Sequence, residues 1–201
     1  MRDDVLRETK DRLLAPLAGR AGSRINPNWL SFAAMLVGMT AALAAWQQLY
    51  WPGLALWIAN RVLDGLDGTI ARMHNKQSDF GGYWDLMLDY VVYLAVPIGL
   101  VAGAPSPETL WAWGLLVSAY VINLASWSVL AALQEKRRAE SAGRLTSIEM
   151  PGGLIEGTET IIFYALFFLL PGYLPFLFVV MAVLVLFTAG QRVWWAARHL
   201  R

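Results

Sequence analysis

The sequence contains no cysteine among its 201 residues, which excludes both a disulfide framework and a thiolate metal site. Charged residues are scarce: they make up 15% of the chain, whereas soluble domains carry about 25%. Low-complexity segments, internal repeats and a separate soluble domain are also missing. The chain is instead 57% hydrophobic and contains 10 tryptophans. This balance predicts an integral membrane protein.

Six apolar stretches set the predicted architecture, because a helix needs about 20 apolar residues to cross a bilayer. We expect an all-α integral membrane fold in which residues 25–201 form one domain of six transmembrane helices. The predicted spans are Trp29–Leu49, Trp51–Ala71, Phe80–Ala102, Leu110–Leu133, Pro151–Leu170 and Leu174–Trp195.

The first 24 residues are mixed and charged, and their apolar side chains recur at helical spacing. We predict a cytoplasmic juxtamembrane amphipathic helix over residues 1–24, lying on the membrane surface. The alternative is a mobile basic tail. The segment lacks the basic region and apolar stretch of a secretory signal.

Lysine and arginine indicate the orientation of the spans. All 16 lie before the first span, at 61–76, at 136–144 or at 192–201. The three loops on the opposite side, near Leu49–Gly53, Gly103–Thr109 and Leu170–Tyr173, contain none. By the positive-inside rule, both termini face the cytoplasm of a bacterial-type inner membrane.

Four aspartates interrupt this apolar pattern. Asp64 and Asp67 end the second span, and Asp85 and Asp89 lie within the third. Each costs about 2.5–3.5 kcal/mol at the centre of a membrane helix, so acids in this position indicate function. Their spacings of three and four residues place each pair on one helix face. A short turn near Met73–Asp79 joins the two antiparallel spans, and we expect the four carboxylates to meet in a pocket open to the cytoplasm.

Divalent cations are the simplest way to hold four carboxylates together, since adjacent buried anions repel one another. An all-oxygen ligand set suits Mg²⁺ or Mn²⁺, and two such ions can clamp the two oxygens of a phosphoryl transfer. Arg72 is well placed to meet a phosphate or an acid. A proton or cation pathway and a structural polar cluster remain alternatives at this point.

The aspartates belong to a longer pattern that resembles the signature of the CDP-alcohol phosphotransferase family. The pattern has eight specified positions: Asp64-x2-Asp67-Gly68-x2-Ala71-Arg72-x8-Gly81-x3-Asp85-x3-Asp89. The Ile25–Ser31 stretch also looks like the start of that family's first span, and the resemblance covers nearly the whole chain.

The resemblance implies a transferase that moves a phosphatidyl group from a CDP-lipid, such as CDP-diacylglycerol, to a small alcohol and releases CMP. It implies a two-metal centre (Mg²⁺ or Mn²⁺) held by the four aspartates, with Asp89 as general base. It also assigns a nucleotide-binding region to Asn28, Gly68, Ala71, Arg72 and Gly81. The expected partners are these two substrates, membrane lipids and a second copy of the chain in a homodimer, with no nucleic acid.

The acceptor is left open by the sequence, and glycerol 3-phosphate, inositol phosphate and serine-like alcohols are all candidates. Glu156 and Glu159 begin the fifth span on the cytoplasmic side, and we expect them to line or support the acceptor pocket. The alternative for both is capping of the helix N-terminus.

Basic residues between the fourth and fifth spans have two interpretations. Arg137 and Arg144 are candidate contacts for a phosphorylated acceptor. They also fit a role in setting topology or binding anionic lipids. Arg61, one turn before Asp64, is positioned to pair with an acid. Asn123 and Ser126 fit helix contacts or pocket residues equally well.

Two other classes of protein compete with this interpretation. An Mg²⁺-dependent membrane prenyltransferase also carries aspartate-rich helices, but such proteins are generally longer and lack the Asp-Gly, Ala-Arg and Gly pattern. A non-enzymatic cation transporter accounts for intramembrane acids without chemistry.

Overall fold

The structure, a computed structural model, describes residues 14–19, 25–140 and 152–200. Residues 14–19 are helical, and the rest of the predicted N-terminal amphipathic helix lies outside the described residues. None of the described residues is in a β-strand. Six helices longer than ten residues occur in these ranges: α1 Pro27–Trp46, α2 Tyr50–Met73, α3 Asp79–Gly103, α4 Pro107–Glu140, α5 Gly157–Leu169 and α6 Leu174–His199.

The chain divides into two compact units, and the first, Met1–Ala104, contains α1, α2 and α3. Helix α1 begins at Pro27, where the side chain of Asn26 accepts a hydrogen bond of 3.0 Å from the backbone of Asn28. Helix α3 begins in the same way, since Ser78 Oγ accepts the Gly81 N–H at 3.0 Å. Helix α1 packs against both α2 and α3 and so holds the two aspartate-bearing helices in one unit.

Glycines allow α1 and α3 to approach at backbone distance. A Cβ atom at Gly103 would lie 2.7 Å from the carbonyl oxygen of Trp46, and one at Gly99 would overlap the carbonyl of Ala42. A Cβ atom at Gly38 would lie 2.6 Å from a methyl group of Val92. The interface therefore accepts only glycine at these positions of the two helices.

The second unit, Pro105–Arg201, contains α4, α5 and α6. Helix α6 packs against α4 and contacts α5. The ring centroids of Tyr164 and Phe167 are 5.2 Å apart, and those of Phe167 and Phe178 are 4.9 Å apart, with all three side chains fully buried. These aromatic contacts form the apolar core of the unit.

Helix α5 begins at Gly157, six residues later than the predicted span Pro151–Leu170. The reason lies in residues 153–156, whose backbone N–H groups all donate to side chains instead of following a helix. The acceptors, in chain order, are Glu156 Oε1, Gln191 Oε1, Thr188 Oγ1 and Glu159 Oε2, at 2.5, 3.1, 2.9 and 3.2 Å. Two of these side chains belong to α6, so the turn before α5 is tied to that helix.

Four of the described helical stretches are long and apolar enough to cross a membrane: Pro27–Trp46, Asp79–Gly103, Pro107–Arg137 and Pro171–His199. Helix α2 is 24 residues long but less apolar, because it carries the charged residues of the predicted site. Helix α5 has only 13 residues. Large apolar side chains on the surface, such as Trp111 at 83% and Trp51 at 74% exposed, fit a lipid environment.

Candidate active site

Three of the described aspartates form a compact group. Oxygen atoms of Asp64 and Asp67 on α2 and Asp85 on α3 all lie within 4.8 Å of one another. Asp67 is the most buried of the three, with 3% of its surface exposed. The i, i+3 spacing on α2 and the short turn into α3 bring these three carboxylates together, whereas the sequence analysis expected all four to meet.

Asp89, one helical turn after Asp85, is paired with Arg61 of α2. Arg61 Nη2 donates to Asp89 Oδ1 at 2.7 Å, and Nη1 lies 3.4 Å from Asp89 Oδ2. The same guanidinium is 3.7 Å from Asp64 Oδ2, so it links the fourth aspartate to the group of three. The expectation that Arg61 pairs with an acid is confirmed.

Ser31 of α1 contacts the aspartate group directly. Its Oγ donates a 2.6 Å hydrogen bond to Asp67 Oδ2, and both residues are buried. Sequence reasoning missed this partner, and the available signal was a serine one turn after Pro27 in an apolar helix.

A cavity of about 190 Å³ lies beside the aspartates in the first unit. Its walls come from the start of α1, the end of α2, the turn 76–78 and the start of α3. The lining residues are Pro27, Asn28, Ser31, Asp67, Gly68, Ala71, Arg72, Lys76, Gln77, Ser78, Gly81, Gly82 and Asp85.

The five residues predicted to bind the nucleotide all line this cavity. A Cβ atom at Gly81 would lie 3.2 Å from Asn28 Oδ1, and one at Gly68 would lie 3.1 Å from Arg72 Nη1. The absence of a side chain at Gly81 leaves room for Asn28, and its absence at Gly68 leaves room for Arg72. Both of these polar side chains line the cavity. Ala71 is the third small residue of the set.

Lys76, a second basic residue in the cavity wall, was not predicted as a site residue. Its Nζ donates to the carbonyl of Ile25 at 3.0 Å, which joins the α2–α3 turn to the start of α1. The only signal in the sequence was its position four residues after Arg72.

Three of the residues predicted for the acceptor pocket, Glu156, Glu159 and Arg137, have structural partners in the second unit. Glu156 accepts from the Gly153 N–H and Glu159 from the Glu156 N–H, which is the capping alternative that the sequence left open. Arg137 Nη1 donates to the carbonyl of His199 at 3.1 Å. Arg144 lies outside the described residues.

The second unit also contains a buried arginine, Arg192, that the sequence analysis did not name as a pocket residue. Arg192, which is 8% exposed, donates from Nη1 to Asn123 Oδ1 at 2.6 Å. Asn123 therefore makes a contact between helices α4 and α6. Ser126 donates to the carbonyl of Asn123 at 2.7 Å within α4.

Comparison with known proteins gives a consistent result. Residues 24–195 match the family model of CDP-alcohol phosphatidyltransferases. The chain is 34% identical over 171 residues to the inner membrane protein YnjF of Escherichia coli, covering 85% of this chain and 82% of that protein. It is 33% identical over 163 residues to the phosphatidylinositol phosphate synthase of Mycobacteroides abscessus, covering 78% and 68%.

Solved structures of the phosphatidylinositol phosphate synthase of Mycobacterium tuberculosis share the fold. The structure with CDP-DAG bound has a TM-score of 0.65 at 24% identity, covering 90% of this chain and 92% of that one. The complex with manganese and citrate has a TM-score of 0.63 at 23% identity, covering 90% and 87%.

The family match spans the aspartate signature and all six helices, which neither the prenyltransferase nor the cation-transporter interpretation predicts. The apolar helices and the inner-membrane relative identify a multi-pass membrane protein. The chain belongs to the CDP-alcohol phosphatidyltransferase family and is an enzyme of that class.

Proposed function

We propose that the enzyme transfers a phosphatidyl group from a CDP-diacylglycerol-type lipid to a small alcohol and releases CMP. The observation that carries this proposal is the group of three carboxylates within 4.8 Å beside a cavity that Arg72 and Lys76 also line. Carboxylates that can hold metal ions, next to basic side chains that can contact phosphate, fit a substrate that contains a diphosphate.

The donor set fits divalent cations. Asp64, Asp67 and Asp85 offer oxygen ligands only, which suits Mg²⁺ or Mn²⁺, and Asp89 completes the proposed set for two ions. The manganese complex of the Mycobacterium tuberculosis synthase supports this assignment. When bound, the ions would neutralise the diphosphate and stabilise the negative charge that develops on the departing CMP.

The chain's own residues account for the proton. The acceptor hydroxyl oxygen attacks the phosphorus that carries the lipid, and the bond from that phosphorus to the bridging oxygen breaks. CMP leaves with the bridging oxygen and its electron pair. The hydroxyl proton passes to the carboxylate of Asp89, which we propose as the general base.

The nucleotide end of the donor is assigned to Asn28, Gly68, Ala71, Arg72 and Gly81, all of which line the cavity. The small residues allow close approach, and the Arg72 guanidinium is suited to phosphate. The CDP-DAG complex of the Mycobacterium tuberculosis synthase supports a donor of this kind. The acyl chains would remain in lipid, which the apolar surface of the helices favours.

The candidate acceptors are glycerol 3-phosphate, inositol phosphate and serine-like alcohols, and transfer assays will distinguish them. The two mycobacterial relatives are phosphatidylinositol phosphate synthases, which makes inositol phosphate the first compound to test. Glu156, Glu159, Arg137 and Arg144 remain proposed contacts of the acceptor pocket. Exchange of each for glutamine, followed by transfer assays with every acceptor, tests them.

We also propose six spans, in which the less apolar α2 and the shorter α5 cross alongside the other four helices, and both termini in the cytoplasm. Arg61, Asp64, Asp67 and Arg72 then account for the lower hydropathy of α2. A homodimer is proposed from the family resemblance, and the mass of the protein in lipid nanodiscs measures it.

The direct test uses purified protein in nanodiscs with CDP-diacylglycerol, Mg²⁺ or Mn²⁺, and a panel of acceptors. We expect CMP release that depends on both metal and acceptor, together with a new phospholipid detected by mass spectrometry. Asp67→Asn and Asp85→Asn should lower the rate by more than the 10–100-fold loss, roughly, that is typical of residues behind metal ligands. Chelation by EDTA should abolish turnover, and added Mn²⁺ should restore it.

Asp79→Asn is the matched control, because Asp79 is an exposed aspartate at the start of the same helix and outside the carboxylate group. Its rate should stay close to that of the unaltered protein. Absence of CMP release with every CDP-lipid and acceptor would rule out the proposed function.

A further inference from the structure

Arg61 of α2 is a buried charged residue of the first unit that several neighbouring side chains contact. Its side chain is only 7% exposed although it carries a permanent charge. The ion pair with Asp89 compensates that charge. The remaining contacts of the guanidinium decide whether charge compensation is its whole role.

Three further residues hold the guanidinium besides Asp89 and Asp64, through four contacts. Nε donates to Asn60 Oδ1 at 2.7 Å, and Nη1 donates to the hydroxyl of Tyr93 at 3.0 Å. The Cζ atom lies 4.9 Å from the ring centroid of Trp57 and 5.1 Å from that of Tyr93. These contacts set both the position and the plane of the charged group.

Asn60 in turn is anchored to α1. Its Nδ2 donates to the carbonyl of Ala34 at 2.7 Å, and Asn60 is 1% exposed. A continuous chain of hydrogen bonds thus runs from the α1 backbone through Asn60 and Arg61 to Asp89. This chain supports Asp89 from α1, and the same guanidinium lies 3.7 Å from Asp64 Oδ2.

We infer that Arg61 is a positioning residue that holds the Asp89 carboxylate in a fixed orientation for its reaction with the acceptor hydroxyl. The inference rests on the proposed function, in which Asp89 takes the proton of the acceptor. The guanidinium donates to Asp89 Oδ1 at 2.7 Å and to Oδ2 at 3.4 Å, so both oxygens contribute to fixing the orientation of the carboxylate.

The shape of the guanidinium matters as much as its charge. A planar fork meets both carboxylate oxygens at once and lies flat against aromatic rings, which an ammonium group does not do. Charge compensation alone would be satisfied by lysine at this position. Arg61→Lys therefore separates positioning from simple neutralisation.

The experiment compares Arg61→Gln and Arg61→Lys with the unaltered enzyme in nanodiscs. The measured quantities are kcat, KM for CDP-diacylglycerol, and Mn²⁺ binding by electron paramagnetic resonance. We expect kcat to fall about 10–100-fold in both variants. KM for the donor and the amount of bound Mn²⁺ should stay close to those of the unaltered enzyme, because all four aspartates are retained and the contact of Arg61 with Asp64, at 3.7 Å, is longer than its 2.7 Å bond to Asp89.

The matched control is Arg198→Gln, which removes an exposed arginine whose Cζ lies 3.8 Å from the centroid of the Trp194 ring. It loses the same charge and a cation–π contact without touching an aspartate, so kcat should be unchanged. If Arg61→Gln does not fold, Arg61→Lys and Tyr93→Phe carry the test. Tyr93→Phe removes one acceptor of the guanidinium and should lower kcat by a few-fold.

Unchanged kcat in both Arg61 variants, or full activity in Arg61→Lys, would overturn the inference while the proposed function stands. Loss of Mn²⁺ binding in parallel with kcat would also overturn it, because Arg61 would then organise the whole metal site and not Asp89. An unaltered enzyme that releases no CMP would instead refute the proposed function itself.

Discussion

At the scale of single residues, the site depends on partners that lie far apart in sequence. Ser31 and Asp67 are 36 positions apart, and Arg61 and Asp89 are 28 apart. In each pair, one member orients a carboxylate of the proposed centre. Groups behind metal ligands of this kind are often nearly as important as the ligands themselves.

Ser31→Ala tests the first of these pairs. Loss of the 2.6 Å bond to Asp67 leaves that carboxylate free to rotate, so we expect the Mn²⁺ concentration for half-maximal activity to rise about tenfold. Thr40→Ala on the same helix is the control, because its hydroxyl bonds only to the Leu36 carbonyl one turn earlier among the described contacts. Identical metal activation curves for Ser31→Ala and the unaltered enzyme would contradict the prediction.

The sequence predicted the identity of the site residues better than their pairings. Six of the eight positions of the aspartate signature line the cavity, while Asp64 joins the carboxylate group and Asp89 pairs with Arg61. Helical spacing predicted only that the members of each aspartate pair share a helix face. Ser31 and Lys76 were missed because each acts across a contact between separate segments, which no local spacing encodes. Arg61 was recognised as a partner for an acid, but the choice of Asp89 required the structure.

At the scale of helices, glycine determines how α1 and α3 meet. Gly99 and Gly103 of α3 bring its backbone against the carbonyl groups of Ala42 and Trp46 on α1. Gln48 strengthens the same contact, since its Nε2 donates to the Gly103 carbonyl at 2.5 Å. Helix α1 carries Ser31, so a shift of this interface also moves a support of the proposed metal centre.

Gly99→Leu should therefore destabilise the first unit. Overpacking of this kind costs about 1–3 kcal/mol, and we expect a lower thermal unfolding temperature and reduced activity in nanodiscs. Gly114→Leu on α4 is the matched control, because a Cβ atom at Gly114 has no atom within 4 Å. Equal unfolding temperatures for the two variants would show that α1 and α3 tolerate separation.

Helix existence was easier to predict than helix boundaries. Apolar length located all six helices, since burial in lipid requires continuous runs of such residues. The start of α5 was wrong by six residues because Thr188 and Gln191 of α6 accept N–H groups that a longer helix would have used. These two side chains follow the turn by more than 30 residues, so the local sequence carries no sign of them.

At the scale of the whole molecule, the distribution of charge predicts the orientation in the membrane. All 16 lysine and arginine residues fall outside the three loops assigned to the outer face. The orientation is therefore a prediction from the sequence. The sequence offers a convenient means to test it, because it has no native cysteine to remove.

Gly172→Cys and Met73→Cys provide that test. Gly172 is exposed in the turn before α6, and a Cβ atom there meets nothing within 4 Å. Met73 is 47% exposed at the end of α2. A membrane-impermeant maleimide should label the first in intact spheroplasts and the second only after permeabilisation. The opposite labelling pattern would reverse the predicted orientation, and the cysteine-free parent measures the background.

The cavity walls run from Pro27 to Asp85, so a single uninterrupted stretch of the gene encodes them. Recombination between relatives at the Ala104–Pro105 boundary would leave that stretch whole. Hybrids made there inherit all of the proposed nucleotide-binding residues from one parent and α4, α5 and α6 from the other. If the proposed acceptor contacts of the second unit select the alcohol, such crossovers would change the acceptor while leaving the carboxylate cluster undivided.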